Sequence, residues 1–497
     1  MTFITEQSRQ IPVVAEPGVL VVGGGPAGIG AAVAAARNGA RVLLVERYGF
    51  PGGNLTVAMV NPMFTFHDAQ GRQVIRGIAG EVVERLIKVA ASAGHVRDLT
   101  FDNASMTPFD PEGMKLVLFD MLEEAGVEML LHTWAVDAIA DGRRVDSVIL
   151  ENKSGRQAVR GKLVIDCSAD ADIAARVGAP FVKGRESDGA MQPATLFFRI
   201  AGVNVRGLKT WMKRNRDLLK DAPTDEEIDS SRALAFLGLR DLIQQAIARG
   251  EFPADAAPRI LMYQLPREGQ FAVNTTRLQG IDGTNARDLT RAEALTRRQA
   301  WRIHEFLRKY VGGFESSYLL DTGVQVGIRE TRHIVGDYVL NDNDVLEGRS
   351  FPDGIATGTF AIDIHPPEGK EQIYTGSGKA VYEIPYRCLL PQGFDNLLVA
   401  GRSISATHAA SGSARVMATC MAIGQGAGVA AALAVGHGVT TRDVDVGCLR
   451  GLLIEQGQYL HHPGMEQRVD ANLALQRAGG AGTVAAHYNP FHHRTPE

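Results

Sequence analysis

Cysteine is scarce. The chain has four in 497 residues, Cys167, Cys388, Cys420 and Cys448, and none pairs with another in a CxxC spacing. That excludes a local redox dithiol, a zinc knuckle and a local iron–sulfur cluster, which all need thiolates a few residues apart. No metal site is expected, and each cysteine is expected to be a small buried hydrophobe in a reducing cytoplasm. Charge of one sign is lacking too: 52 basic and 56 acidic residues leave a net −4, no field for nucleic acid or an anionic membrane. Sustained lipid-grade runs are missing. The windows 18–36 and 416–436 are apolar, but the first holds six glycines and a proline, and Gly424, Gln425, Gly426 and Gly428 break the second. Both read as helices buried on a sheet, with no membrane span. The opening MTFITEQSRQIPVVAEPG lacks a basic start followed by an apolar run, so no secretory segment and a cytoplasmic location are expected. Residues 1–17 read as a loose arm. No internal repeat is present.

What is there is a globular composition, 45% hydrophobic and 22% charged, in a chain too long for one ordinary core. Residues 18–54 organise the rest. Val19 to Val22 is a short apolar strand, Gly23-x-Gly25-x-x-Gly28 a glycine turn, and the alanine-rich stretch after it a helix. A second strand ends at Glu46. The glycines let the turn tighten, let backbone approach a pyrophosphate, and pack helix on strand. The helix N-terminus at Pro26 and Ala27 offers the amides from Ala27 onward and a positive dipole end to phosphate. Glu46, 23 residues after Gly23, stands where an acid hydrogen-bonds an adenosine ribose. A dinucleotide is expected here, FAD or NAD. Arg47 and then Gly52, Gly53 and Asn54 form a loop that brings backbone to the same cofactor.

Further on, 78–93 and 111–126 read as amphipathic helices, and 145–150 with 162–165 as strands. Residues 164–180 read as a buried strand, an acidic turn and a small-residue helix. Asp170 and Asp172 suit either the helix dipole or a cofactor contact. From 181 to 384 the texture changes, with strand-like runs at 195–200, 271–274 and 359–364 and helices at 205–217, 233–249 and 287–311. The basic face of the last is read as solvated, since no aromatic platform or second basic block accompanies it. Near 385 the parallel-sheet texture returns. Residues 396–401 are a buried strand ending in glycine, followed by a polar loop, a small-residue helix and a final helix at 444–460.

Several stretches together carry a resemblance: VVGGGPAGIGAA, VERYGFPGGN, VIDCSADADIA, VNTTRLQGIDGT, LTRAEALTRRQAW, GIRETRHIVGDYVL, FAIDIHPP and IPYRCLLPQGFDNLLVAGRSISATHAASGSARVMATCMAIGQGAG. Over 18–460 the chain resembles the FAD-dependent oxidoreductases of the glutathione-reductase-type flavin fold, and is distantly similar to succinate dehydrogenase and fumarate reductase flavoproteins. The resemblance implies an α/β architecture: a Rossmann-like FAD-binding domain (18–180 and 385–460) with an inserted mixed α+β substrate domain (181–384), and a C-terminal tail at 461–497. It implies non-covalent FAD, with Gly23, Gly25 and Gly28 at the pyrophosphate, Glu46 on the ribose, and Gly52, Gly53 and Asn54 beside the pyrophosphate and flavin chain. The backbone near Ala135 would meet the adenine, and the turn at Ala169 replaces the family's usual Ala-Thr-Gly. Gly401 and Arg402 occupy the place of a Gly-Asp pair, so Arg402 reverses a charge. The amides from Val416 and Met417 onward would point at the flavin pyrimidine edge. In the fumarate reductase group an arginine before this helix anchors a carboxylate. Counting back from Gly424 puts Ser411 there and Arg415 four residues later, so that arginine is not carried over.

A flavin needs a substrate C–H over its ring and one managed proton. His408 and His365 are the candidate proton managers. Arg277, Arg329 and Arg332 are candidate anion binders, the last two sharing a face if their segment is helical. The expected activity is hydride transfer between flavin N5 and a small organic substrate. Two alternatives stay open: a flavoprotein that catalyses a net non-redox elimination or isomerisation, and a non-catalytic NAD-binding module. The electron partner and homo-oligomerisation are left open.

Overall fold

The computed structural model describes residues 8–460, apart from 102, 222, 370–372 and 376–379, together with residues 2 and 4. The expectation for the tail at 461–497 lies outside the described residues. At the centre is a five-stranded parallel sheet ordered Leu397–Val399, Leu163–Asp166, Val19–Val22, Val42–Val45, Glu128–Leu130. Its inner strands are fully buried and almost wholly apolar because both faces are covered, whereas the edge strand Glu128–Leu130 is only partly buried. Alternation along Val19–Val22 shows how. Val19 and Val21 join the core beneath the helices, while Leu20 and Val22 join a core shared with Val148, Leu150 and Val159 of a second sheet. That second sheet, ordered 13–15, 155–159, 144–152, 134–141, makes the inserted hairpin layer. Residues 13–15 are thus an edge strand paired with 155–159, not part of a loose arm, because strand 155–159 leaves an open edge beside them.

Two helices, Pro26–Arg37 and Met417–His437, cross on the other face. They touch backbone to backbone. A Cβ on Gly30 would lie 2.3 Å from the Met421 carbonyl oxygen, one on Gly424 2.0 Å from that of Ala27, and one on Gly428 2.3 Å from that of Ala31. The small residues of both windows therefore serve this crossing. Met417–His437 is long and apolar enough to cross a membrane, but it is buried inside the protein along nearly its whole length.

A five-stranded antiparallel sheet, ordered 235–238, 260–264, 271–273, 198–201, 318–322, forms the other lobe. The 25-residue helix Ala286–Tyr310 backs it, and Phe198, Phe236, Met262 and Phe271 pack against Ala300, Ile303 and Phe306. The opposite face carries Leu261 and Tyr263, packed with Met106 and Phe64. The expected helix at 233–249 divides: 235–238 is a strand and only 240–248 is helical. Leu239, at φ 68°, turns the chain between them. Residues 354–364 and 382–384, expected in the inserted lobe, contribute Ile355, Ile362, Tyr382 and Ile384 to the core around helix 417–437. Cys167, Cys388 and Cys420 are buried as expected, whereas Cys448 is exposed on the short helix Val446–Glu455.

Candidate functional site

The glycine turn after strand Val19–Val22 divides its labour. Gly23 has φ 100°, and a Cβ there would lie 2.4 Å from the Cys167 carbonyl oxygen. A Cβ on Gly28 would lie 1.8 Å from the Gly23 carbonyl oxygen. Both glycines serve the joint between helix and sheet. Gly25 is different, since its Cβ would meet no protein atom nearer than the Gly53 Cα at 4.0 Å. The missing side chain there leaves room in a cleft rather than relieving a clash. Gly25 is also the N-cap of helix 26–37, and no side chain caps the helix amides, so they face that cleft uncompensated.

The cleft, about 1320 Å³ counting the part open to solvent, is walled by the turn, the end of strand 42–45, the loop 167–172 and the start of helix 417–437. Of the residues expected at a cofactor, Gly23, Gly25, Pro26, Ala27, Glu46, Arg47, Gly53, Asn54, Ala135, Ala169, Asp170, Gly401, Arg402 and Met417 line it. Gly28 and Gly52 lie behind this surface. Gly52, at φ 120°, donates its N–H to the Gly24 carbonyl at 2.7 Å. Glu46 is buried, and its carboxylate accepts the Gly24 amide at 2.7 Å and the Tyr48 amide at 2.9 Å. Burial pushes its pKa up against these two hydrogen bonds. Arg47 lies over the Tyr48 and Trp134 rings, 5.0 and 5.2 Å from their centroids.

Ala169 and Ala171 both adopt positive φ, 74° and 52°, on either side of Asp170. This strained loop aims the Asp170 carboxylate at Arg402, 2.5 Å away, and at the Thr331 hydroxyl, 2.7 Å away. The reversed charge at Arg402 is thus answered by an acid from another strand end. Arg402 Nη1 has no hydrogen-bond partner. Asp172 takes Arg332, whose Nη1 donates to it at 2.9 Å and to the Asp170 carbonyl at 2.8 Å. Arg329 and Arg332 do not share a helical face. Arg332 begins the strand Arg332–Ile334, because this segment pairs with Phe181–Lys183.

A second cavity, about 930 Å³ counting its open mouth, adjoins the first, and Asn54, Ile328, Arg402, Arg415 and Met417 line both. Val416 lies in its wall. Rings of Phe64, Phe101, Phe197, Tyr263, Phe360 and Tyr374 line one part, and Arg259, Asn274, Arg329, Asp363, His365 and Arg415 another. Arg329 Nη1 donates to the Pro193 carbonyl at 2.7 Å and the Thr195 hydroxyl at 2.6 Å. Burial lowers its pKa to about 9, with Arg415 adding repulsion. Asp363 Oδ2 lies 3.3 Å from His365 Nε2 and 3.4 Å from Arg415 Nη2. Burial, reinforced by Arg329, pushes the His365 pKa down to about 3, so the imidazole is neutral at pH 7.

The four residues expected to act on substrate therefore separate. His365 and Arg329 share the second cavity; Arg277 and His408 line neither space. Arg277 is buried behind the wall, its amide bonded to Gln299 Oε1 at 2.9 Å, and burial followed by repulsion from Arg259 lowers its pKa to about 10. His408 opens the short helix His408–Ala414, and its Nδ1 lies 2.7 Å from Glu330 Oε1. Glu330 is buried; burial raises its pKa, but His333, whose Nε2 lies 3.4 Å away, and the hydrogen-bonded His408 prevail and hold it at about 2. Nothing in the sequence marks Arg259 or Arg415 for this cavity: a gapless count from Gly424 puts Ser411 at the family position, but Arg415 follows helix 408–414 as its C-cap, and that turn swings it into the cavity.

The family model described as FAD dependent oxidoreductase matches residues 18–453, and the chain belongs to that family. No curated protein matches. Among solved structures, the chain is similar at 14% identity to a geranylgeranyl bacteriochlorophyll reductase-like protein of Thermoplasma acidophilum, with TM-score 0.41 over 93% of this chain and 84% of that one. It is similar, also at 14%, to p-nitrophenol 4-monooxygenase of Pseudomonas putida, with TM-score 0.44 over 92% and 93%. Anhydrotetracycline hydroxylase of Streptomyces rimosus gives 13% and 0.42 over 93% and 73%.

Proposed function

We propose that FAD lies along the first cleft, with its adenosine diphosphate at Gly23–Gly28 and Glu46 and its ring at the junction with the second cavity, and that hydride passes between flavin N5 and a small organic molecule held there. The observation that carries this reading is that the two spaces adjoin, with Asn54, Arg402, Arg415 and Met417 lining both. A linear dinucleotide fits a cleft that runs from a side-chain-free cradle at Gly25 to an uncapped helix start at Met417. Bound there, the flavin supplies a two-electron acceptor or donor.

The chain's own groups supply the rest. Uncapped amides at Pro26–Arg37 and Met417–His437 offer positive ends to a diphosphate and to an electron-rich ring edge. Glu46 keeps acceptor capacity for a ribose hydroxyl beside its two amides. The aromatic wall excludes water from the reacting C–H. His365, neutral and oriented by Asp363, is placed to take or return the proton at its ring nitrogen. An anion bound among the arginines would cancel their repulsion and raise its pKa toward the working range.

The test is spectroscopic. The purified protein should be yellow, release FAD on denaturation, and bleach anaerobically with a substrate found by metabolite screening. A colourless protein with no affinity for added FAD would end the reading. Turnover of a substrate without bleaching would instead favour a non-redox elimination or isomerisation.

A further inference from the structure

We infer that the second cavity takes a small molecule with a flat aromatic body and a carboxylate head, the head seated between Arg329 and Arg415. This deepens the reading above and rests on it only in taking the cavity as the substrate side of the flavin.

The body is specified by the wall. Tyr263, Phe64, Phe360, Tyr374 and Phe101 form a continuous run, with successive ring centroids 5.8, 5.8, 6.0 and 5.4 Å apart. They meet partly edge-on and partly stacked, which leaves ring faces and edges for a flat guest. Leu261 and Val60 fill the gaps with apolar surface. A short aliphatic acid would leave this wall unfilled.

The head is specified by charge. Among the described residues lining the cavity are four guanidinium groups and one carboxylate, Asp363. Asp170 answers Arg402 from the neighbouring cleft. Asp363 is shared by His365 and Arg415, and Arg415 Nε has no hydrogen-bond partner. Arg329 donates to a carbonyl and a hydroxyl, neither of which carries charge. Burying like-signed cations together is costly without an anion between them. A carboxylate is planar and matches the guanidinium fork in a way that a hydroxyl or amide does not. The lowered pKa of Arg329 agrees with a site waiting for a counter-charge.

The flavin-loaded protein is titrated with 2-naphthoate, with 2-naphthamide (the same ring without the charge) and with succinate (the charge without the ring). Binding is followed by calorimetry and by the visible flavin band. The expected result is 2-naphthoate binding at least about tenfold tighter than either, as a charged hydrogen-bonded pair implies, with a shift of the flavin band. Arg415→Gln should weaken 2-naphthoate by a similar factor and leave 2-naphthamide unchanged. The ligand ranking on the unaltered protein decides the matter even if that variant folds poorly. Equal affinity for 2-naphthoate and 2-naphthamide, tighter succinate, or no binding of 2-naphthoate by a flavin-containing protein would overturn the inference alone. A protein without flavin that still ranks the three ligands as expected would overturn the cofactor reading and leave this one standing.

Discussion

Replacing Gly25 separates cofactor binding from folding. In most glycine turns that separation fails, because the added Cβ strikes the protein first. Gly28→Ala would do so here, placing a Cβ 1.8 Å from the Gly23 carbonyl oxygen and forcing helix 26–37 off its sheet. At Gly25 the nearest protein atom is 4.0 Å away, an ordinary contact. Its φ of −74° and ψ of −174° are open to any residue. Gly25→Ala should therefore cost the flavin-free protein about 1 kcal/mol or less, the difference between glycine and alanine at an N-cap. The added methyl points into the space assigned to the pyrophosphate. Displacing a phosphate from one backbone amide forfeits about 1.5–3 kcal/mol for a charged hydrogen bond. At 1.4 kcal/mol per tenfold, that is about 10- to 100-fold in FAD affinity per amide lost, and Gly25→Val should lose more. Thermal unfolding of the flavin-free variants measures the first number, and titration of FAD fluorescence the second. Gly25→Val recovered with full flavin occupancy would refute the placement. Loss of fold in Gly25→Ala would refute the division of labour among the three glycines.

Four further outcomes are expected. His408→Ala leaves the buried Glu330 carboxylate with one partner fewer and should destabilise the protein by about 1.5–3 kcal/mol; the rate of flavin reduction in the folded fraction should not change, and slowing at full folding would return His408 to the chemistry. His365→Ala should slow flavin reduction by about 100-fold or more with FAD still bound, and an unchanged single-turnover rate would remove His365 from proton transfer. His365 and His95 are both pushed down to about 3, chiefly by burial, so the unfolded chain binds their protons first as pH falls. Their stabilising contribution is complete above about 6.5 and is lost between there and about 3, so the melting temperature should fall as pH is lowered from 7 to 5, and His95→Phe should flatten that fall. Gly424→Ala puts a Cβ 2.0 Å from the Ala27 carbonyl oxygen and should cost about 1–3 kcal/mol or more as overpacking, read as a lower denaturation midpoint.

Local grammar was legible because its causes are local. Strand Val19–Val22, the glycine turn and helix 26–37 follow from contacts a few residues apart, and the charge change at Arg402 is visible as a single letter. Residues 233–249 read as one helix because a four-residue apolar run, Ala235–Gly238, looks the same on a strand and on a helix. Only its pairing with Ile260–Gln264 decides it. His408 looked chemical because it sits beside the helix expected at the flavin, yet its partner Glu330 is 78 residues away in sequence.

The sequence by itself determined the family, the parallel sheet and the glycine turn that lines the first cleft, since each rests on a short motif whose spacing has a steric meaning. The tertiary structure alone decided what faces the other end. The second cavity is assembled from segments near residues 54, 60–64, 101, 195–197, 259–263, 274, 327–329, 360–365, 374, 402 and 415–417, none of which carries a periodic or spaced signal for the rest. Asp170 meeting Arg402, and Arg415 meeting Asp363, are long-range pairings with the same origin. A strand end or helix cap fixes where each side chain points, and only packing the lobes together fixes what it points at.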